Sequence, residues 1–186
     1  MTGTRRFSEA ISEGDGISLI VEAADPESAR AAEQQGAEAI LLRGRREGVR
    51  EATTLPILWD GDGPPSDARD AGADACLIRM AGDDEALADR FAEVTRLGLD
   101  CVVGVSDEDE LELALERLDP EIVLLRGRPD SGDDDPLDQV LDLLPDLPAG
   151  KLAVADVEVS GREAVVALER AGMDAVIVVA GNVAEL

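Results

Sequence analysis

The chain has 186 residues, with 42 acidic against 17 basic side chains, a net charge of −25 and no histidine. This length suits one domain with a substantial core. The charge repels nucleic acid and anionic membrane surfaces, and the lack of histidine excludes a histidine-based triad and argues against a zinc site.

Lys151 is the only lysine, so nearly all positive charge sits on arginine, which keeps its proton at working pH. No apolar run is long enough to span a bilayer, and MTGTRRFSEA lacks the apolar core of a secretion signal, so a cytoplasmic protein is expected. Cys76 and Cys101 each lie inside an apolar run and read as buried thiols, not as a disulfide pair or a metal motif. Solubility is the simplest account of the acidity.

Residues 1–16 hold a short helical candidate, Thr4–Ser12, ending near Gly14 and Gly16. Ile17–Ala23 is a short apolar run rich in branched residues, which suits a strand buried on both faces. Asp25 can cap the helix that follows, Pro26 fits its first turn and Gly36 can end it, before a second strand at Ala37–Arg43. This is a β-α-β unit with a right-handed crossover.

A short helix near Glu47–Thr53 leads to a strand at Leu55–Asp60. The turn-rich DGDGPPSD and one helical turn expected at Asp67–Ala71 precede a strand at Ala73–Arg79. The spacing of Leu87, Phe91, Val94 and Leu97 predicts an amphipathic helix over Asp83–Leu97. Strands follow at Asp100–Val105, Glu121–Arg126, Lys151–Ala155 and Met173–Ala180. Helices fall between them at Asp107–Leu118 (with Ser106 as cap), Leu137–Leu144 and Arg162–Ala171.

An internal repeat supports the count of eight strands: QGAEAILL at 35–42, AGADACLI at 71–78 and AGMDAVIV at 171–178. In each copy glycine ends a helix, an acid sits at the turn and a buried strand follows. Eight such modules predict a small (β/α)8 TIM barrel over residues 17–186, preceded by the short N-terminal segment 1–16. An open doubly wound sheet is the alternative. The last helix is expected to be truncated or missing, which would leave part of the first and eighth strands bare unless the N-terminal helix or a partner subunit covers them.

In such a barrel, chemistry sits at the carboxyl ends of the strands. Those ends read Glu22, Arg43, Asp60, Arg79, Ser106–Asp107, Arg126, Asp156 and, after the last strand, Asn182. Two readings stand. The charges close the mouth as an inter-strand ion-pair ring, with Asp60 and Asp156 among its acids. Or Arg43, Arg79, Arg126 and Arg128 form an anion site, with Glu22 as a proton-transfer group. Trp59 stands beside them, to stack on a ligand or to plug the mouth. The acids of SGDDDP alone do not define a metal site, and no Walker loop or GxGxxG follows any strand, so neither a metal nor a cofactor is expected.

RFSEAI, ISLIVEA, DPESAR…GAEAI, LPIL, AGADACLI, VSDEDELELALE and AGMDAVIV together resemble the indole-3-glycerol phosphate synthase family, over most of the chain. The resemblance implies a ribulose-phosphate-binding barrel and a carbon–carbon lyase of tryptophan biosynthesis. That enzyme closes a ring with loss of water and carbon dioxide from a carboxyphenylamino deoxyribulose phosphate. It also implies residues that this sequence lacks. Glu22 matches the glutamate that ends the first strand, but Ala24 stands where a catalytic lysine follows it. The third-strand lysine falls near Trp59–Asp60, and the fifth-strand glutamate is Gly104. The sixth-strand asparagine falls near Arg126–Gly127, the seventh-strand Glu-Ser-Gly is Ala155-Asp156-Val157, and the eighth-strand phosphate-binding Gly-x-Ser is Val179-Ala180-Gly181.

The expectation is therefore a degenerate member without efficient parental activity. The alternatives are a binding protein or enzyme for a small phosphorylated or carboxylated metabolite, and an assembly module. A small anionic metabolite is the expected partner, with no nucleic acid or membrane, in a monomer or weak homodimer.

Overall fold

In the computed structural model, residues 6–14, 16–128, 135–159 and 161–179 are described. Eight parallel strands close into a barrel in sequence order: β1 Ser18–Glu22, β2 Ala39–Arg43, β3 Ile57–Asp60, β4 Ala75–Arg79, β5 Asp100–Val105, β6 Ile122–Arg126, β7 Leu152–Asp156 and β8 Ala175–Val179. Seven crossovers carry helices: α2 Pro26–Gln34, α3 Val49–Ala52, α4 Pro65–Asp70, α5 Asp84–Arg96, α6 Glu108–Arg117, α7 Pro136–Leu143 and α8 Arg162–Ala171. A helix α1, Phe7–Ser12, precedes β1. This is a small (β/α)8 TIM barrel. Its seam is fully paired, from Ser18 opposite Ala175 to Glu22 opposite Val179, which excludes the open sheet.

The alternation of side chains along each strand divides the apolar residues into two shells. Ile20, Leu41, Leu58, Leu77, Leu124 and Ile177 fill the barrel interior. Val21, Ile40, Ile57, Ile78, Val103 and Val176 face the helices. On α5, Leu87 and Val94 are buried and Phe91 and Leu97 pack partly buried against the same shell. Each fully buried Leu or Ile contributes about 1.5–3 kcal/mol of transfer free energy.

The sequence repeat has a shared mechanical basis. Gly36, Gly72 and Gly172 all take positive φ just past a helix end, where a side chain would be strained. The acid that follows turns back to the preceding strand. Glu38 Oε2 accepts the Leu19 amide at 2.8 Å, Asp74 Oδ2 the Ile57 amide at 2.9 Å, and Asp174 Oδ2 the Ala153 amide at 2.7 Å. Each repeat thus ends a helix and satisfies a strand-end donor that the ladder leaves over. Burial raises the pKa of Asp74 despite this bond and the neighbouring Arg50.

Two expectations are corrected. The cap of α6 is Asp107, whose side chain accepts the Glu110 amide; the Ser106 amide instead donates to Glu110. The N-terminal helix does not cover the seam between β8 and β1. Phe7 and Ile11 enter the inner shell, the Ser8 amide donates to Asp100 Oδ2 at 2.9 Å and Arg6 reaches Asp100 Oδ1 at 2.9 Å. Asp100 begins β5, so α1 closes the barrel floor. The bare apolar patch is also not found: Val21, Val176 and Val178 are buried, and among the described residues Val179 is the one exposed large hydrophobic side chain.

Candidate functional site at the barrel mouth

Strand parity sets which end residues face inward. Leu41 and Leu58 lie in the inner shell, so Arg43 and Asp60, two residues on, point into the mouth; the same count places Glu22, Arg79, Gly104, Arg126, Asp156 and Val179 there. The mouth layer therefore holds three carboxylates, three guanidiniums, a glycine and a valine. At Gly104 a Cβ would meet Leu77 Cδ1 at 3.3 Å, so the glycine avoids tight contact with the inner shell.

The six charges form one connected lattice. Arg43 is its hub: Nε donates to Glu22 Oε2 at 2.9 Å, Nη1 to Asp60 Oδ2 at 2.8 Å and Nη2 reaches Asp156 Oδ1 at 3.5 Å. Burial works against its charge, but Glu22, Asp156 and Asp60 outweigh that and raise its pKa. Arg79 Nη2 donates to Asp60 Oδ1 at 2.5 Å and Nη1 to Asp62 at 3.1 Å. Arg126 Nε donates to Asp156 Oδ2 at 2.9 Å, while its Nη2, equally close to that oxygen, lies out of hydrogen-bond alignment. Asp60 is the most deeply set, with a side chain 2% exposed and both oxygens bonded to arginine. Three positive and three negative groups leave the layer neutral.

Two predicted site residues fall elsewhere. Arg128 lies outside the ring, on Asp107 at 3.2 Å and Glu110 at 3.1 Å. Trp59 neither plugs the mouth nor faces it. It packs in the outer shell, 3% exposed, beneath Gly61, where a Cβ would come within van der Waals overlap of the indole. Its neighbour Asp60 takes the inward position of β3. Lys151 sits at the opposite end of the barrel, where its ammonium donates to Asp119 at 2.6 Å and to the Pro120 carbonyl at 2.8 Å. Asn182, most of SGDDDP and the Ala180-Gly181 pair lie outside the described residues. Asp62 and Arg90 were not singled out from sequence. Asp62 sits in a loop without periodicity, but Arg90 has a legible signal: it lies three residues after Leu87 and four before Val94, on the apolar stripe of α5.

No helix among the described residues is long and apolar enough to cross a membrane. The fold is similar to that of N-acetylmannosamine-6-phosphate 2-epimerase from Clostridium perfringens, with a TM-score of 0.72 and 16% identity over 95% of this chain and 90% of that one. It is also similar to thiamine phosphate pyrophosphorylase from Pyrococcus furiosus, with a TM-score of 0.65 and 16% identity over 90% and 88%. At such identity the likeness concerns the fold. The sequence carries the closer relation: residues 66–182, well over half of the chain, match the family described as indole-3-glycerol phosphate synthase. With its eight-stranded barrel, the chain belongs to the indole-3-glycerol phosphate synthase family.

Proposed function

We propose that this chain keeps the family's barrel without running the family's ring closure efficiently, and that it acts as a binding or scaffold protein whose mouth charges serve mainly one another. One observation carries the reading: Arg43, Arg79 and Arg126 each have their guanidinium engaged by Glu22, Asp60 or Asp156 of the same layer. Ring closure with loss of water needs a proton donor at the mouth. Arginine does not release its proton at working pH, and the single lysine is at the far end. Loss of a general acid alone costs a factor of about 10²–10⁴. Asp156, in the inward position at the end of β7, presents negative charge where a phosphate would approach.

A second reading, recognition of a small phosphorylated or carboxylated metabolite by these arginines with Glu22, draws on the partial exposure of Arg79, 45%, and Arg43, 39%.

The test is turnover of the carboxyphenylamino deoxyribulose phosphate at high protein concentration, followed by indole fluorescence, beside Glu22→Gln. Product at no more than the uncatalysed rate is expected. Turnover by the native chain that disappears in Glu22→Gln would overturn the proposal and make an arginine-assisted catalyst of the mouth.

A further inference from the structure

Cys76 and Cys101 stand far apart in the sequence, yet the closed barrel sets them opposite each other on β4 and β5. We propose that the two thiols form a reversible disulfide, a redox-sensitive tie between these neighbouring strands, with a low-molecular-weight disulfide as the oxidant. The inference makes no use of the mouth charges.

Three observations support it. First, the two side chains share a face. Ala75 and Leu77 on β4 and Val102 on β5 point into the barrel interior, so Cys76 and Cys101, of the opposite parity, both project into the outer shell. Paired strands lie about 4.8 Å apart, inside the range of about 4.4–6.8 Å that disulfides span between Cα atoms. The thiols also sense each other: burial raises the pKa of Cys101, and the neighbouring Cys76 raises it further.

Second, neither sulfur is committed elsewhere. Both cysteines are free thiols. Among the described residues, Cys76 Sγ makes one hydrogen bond, a long and weak one of 3.8 Å to the Leu77 carbonyl, and Cys101 Sγ makes none.

Third, exposure sets an order of events. Cys101 is partly exposed, whereas Cys76 is fully buried. The Cys101 thiol gives its proton to solvent, and its thiolate attacks one sulfur of the small disulfide. The other sulfur leaves as a thiolate and takes up a proton. Cys76 then attacks the Cys101 sulfur in the same way and expels the second small thiol. Two protein thiols are oxidised to one disulfide, and one small disulfide is reduced to two thiols. Burial pushes the Cys76 thiol up to about 11, and Cys101 up as well, so thiolate is scarce and the exchange takes hours.

The strand spacing makes the tie reversible. A disulfide draws its Cβ atoms to about 3.8 Å, closer than paired strands lie, so this bond carries strain and is readily reduced. Cys76 is also the last residue of β4 paired with β3, where it stands opposite Trp59. Drawing β4 toward β5 acts at this point, and Trp59, the only tryptophan, reports it.

The experiment incubates the reduced, intact chain with oxidised glutathione for a day, without air or metal ions. Free thiols are then blocked with N-ethylmaleimide in denaturant and the intact mass is read. The expected product is two hydrogen atoms lighter than the reduced chain, carries neither maleimide nor glutathione, and yields a peptide joined through Cys76 and Cys101. Trp59 emission should change in step and return with dithiothreitol. Cys76→Ser should stop instead with one glutathione on Cys101. The mass of the native chain decides the matter even if that variant does not fold. Two maleimides on the native chain would overturn the proposal. So would glutathione retained on Cys101 beside a free Cys76, a bond between two chains, or a bond formed only in urea.

Discussion

Glu33 is a single side chain whose bonds tie α2 to the loop before β3. Its carboxylate accepts the Thr53 hydroxyl at 2.9 Å and the Thr54 amide at 3.3 Å, and makes a very short bond to the Thr54 hydroxyl. The Thr54 hydroxyl, more than any other partner, holds its pKa below the ordinary 4.5. A carboxyl lowered in the folded state stabilises the fold above its unfolded pKa and loses that contribution as pH falls through the folded value. Glu33→Gln should therefore lower stability by up to about 1 kcal/mol at pH 7, a modest figure because water screens the site. Urea titrations of the two proteins should converge below pH 4.5; a constant gap across that range would mean that shape, not charge, is responsible.

Residue-scale features were unevenly legible. The ring charges could be read because each ends an apolar run. Which of Trp59 and Asp60 faces the mouth could not, since a strand buried on both faces shows no alternation to reveal its parity. Arg128 was misplaced for a related reason: two residues past Arg126 on a strand would share its face, but β6 ends at Arg126 and the chain turns toward α6.

At the scale of elements, α1 is only six residues long, too short to persist as an isolated helix. It is held by Phe7 and Ile11 in the inner shell and by Asp100 beneath them. Phe7→Ala should cost about 3–5 kcal/mol, the range for an aromatic side chain lost from a core. A fall in the chemical denaturation midpoint would register it; a loss below 1 kcal/mol would mean that α1 merely rests on the floor. The helix itself was anticipated, starting at Thr4 rather than at Phe7, but its destination was not. Its sequence shows an apolar pair suited to packing and says nothing of which surface receives it. The repeated Gly-x-Asp/Glu turns were the most legible elements, because each does the same work in its copy: a left-handed residue to stop a helix and an acid for a leftover strand amide.

For the whole molecule, the net charge is −25 while the six paired charges of the mouth layer cancel. Salt should therefore relieve more repulsion than it weakens attraction. The Debye length falls from about 10 Å at 0.1 M to about 3 Å at 1 M, which screens the surface acids from one another and leaves close pairs such as Asp60 with Arg43 largely intact. The melting temperature should rise over that interval of sodium chloride. A fall would show that ion pairs, not self-repulsion, dominate. The barrel was legible at this scale because eight apolar runs separated by helical stretches admit few closed arrangements.

Arg43 gives the closed barrel a property that belongs to time as much as to structure. It joins neighbours on β1 and β3, but it also reaches Asp156 on β7, 113 positions further along the chain. That strut exists only after both halves of the barrel have met, so it is absent from any partly assembled state. Interactions made late slow escape from the native state more than they speed arrival. Arg43→Met, which keeps the stem and removes the fork, should steepen the rise of the unfolding rate far more than it slows refolding. This one guanidinium would act as the catch that keeps a finished barrel shut.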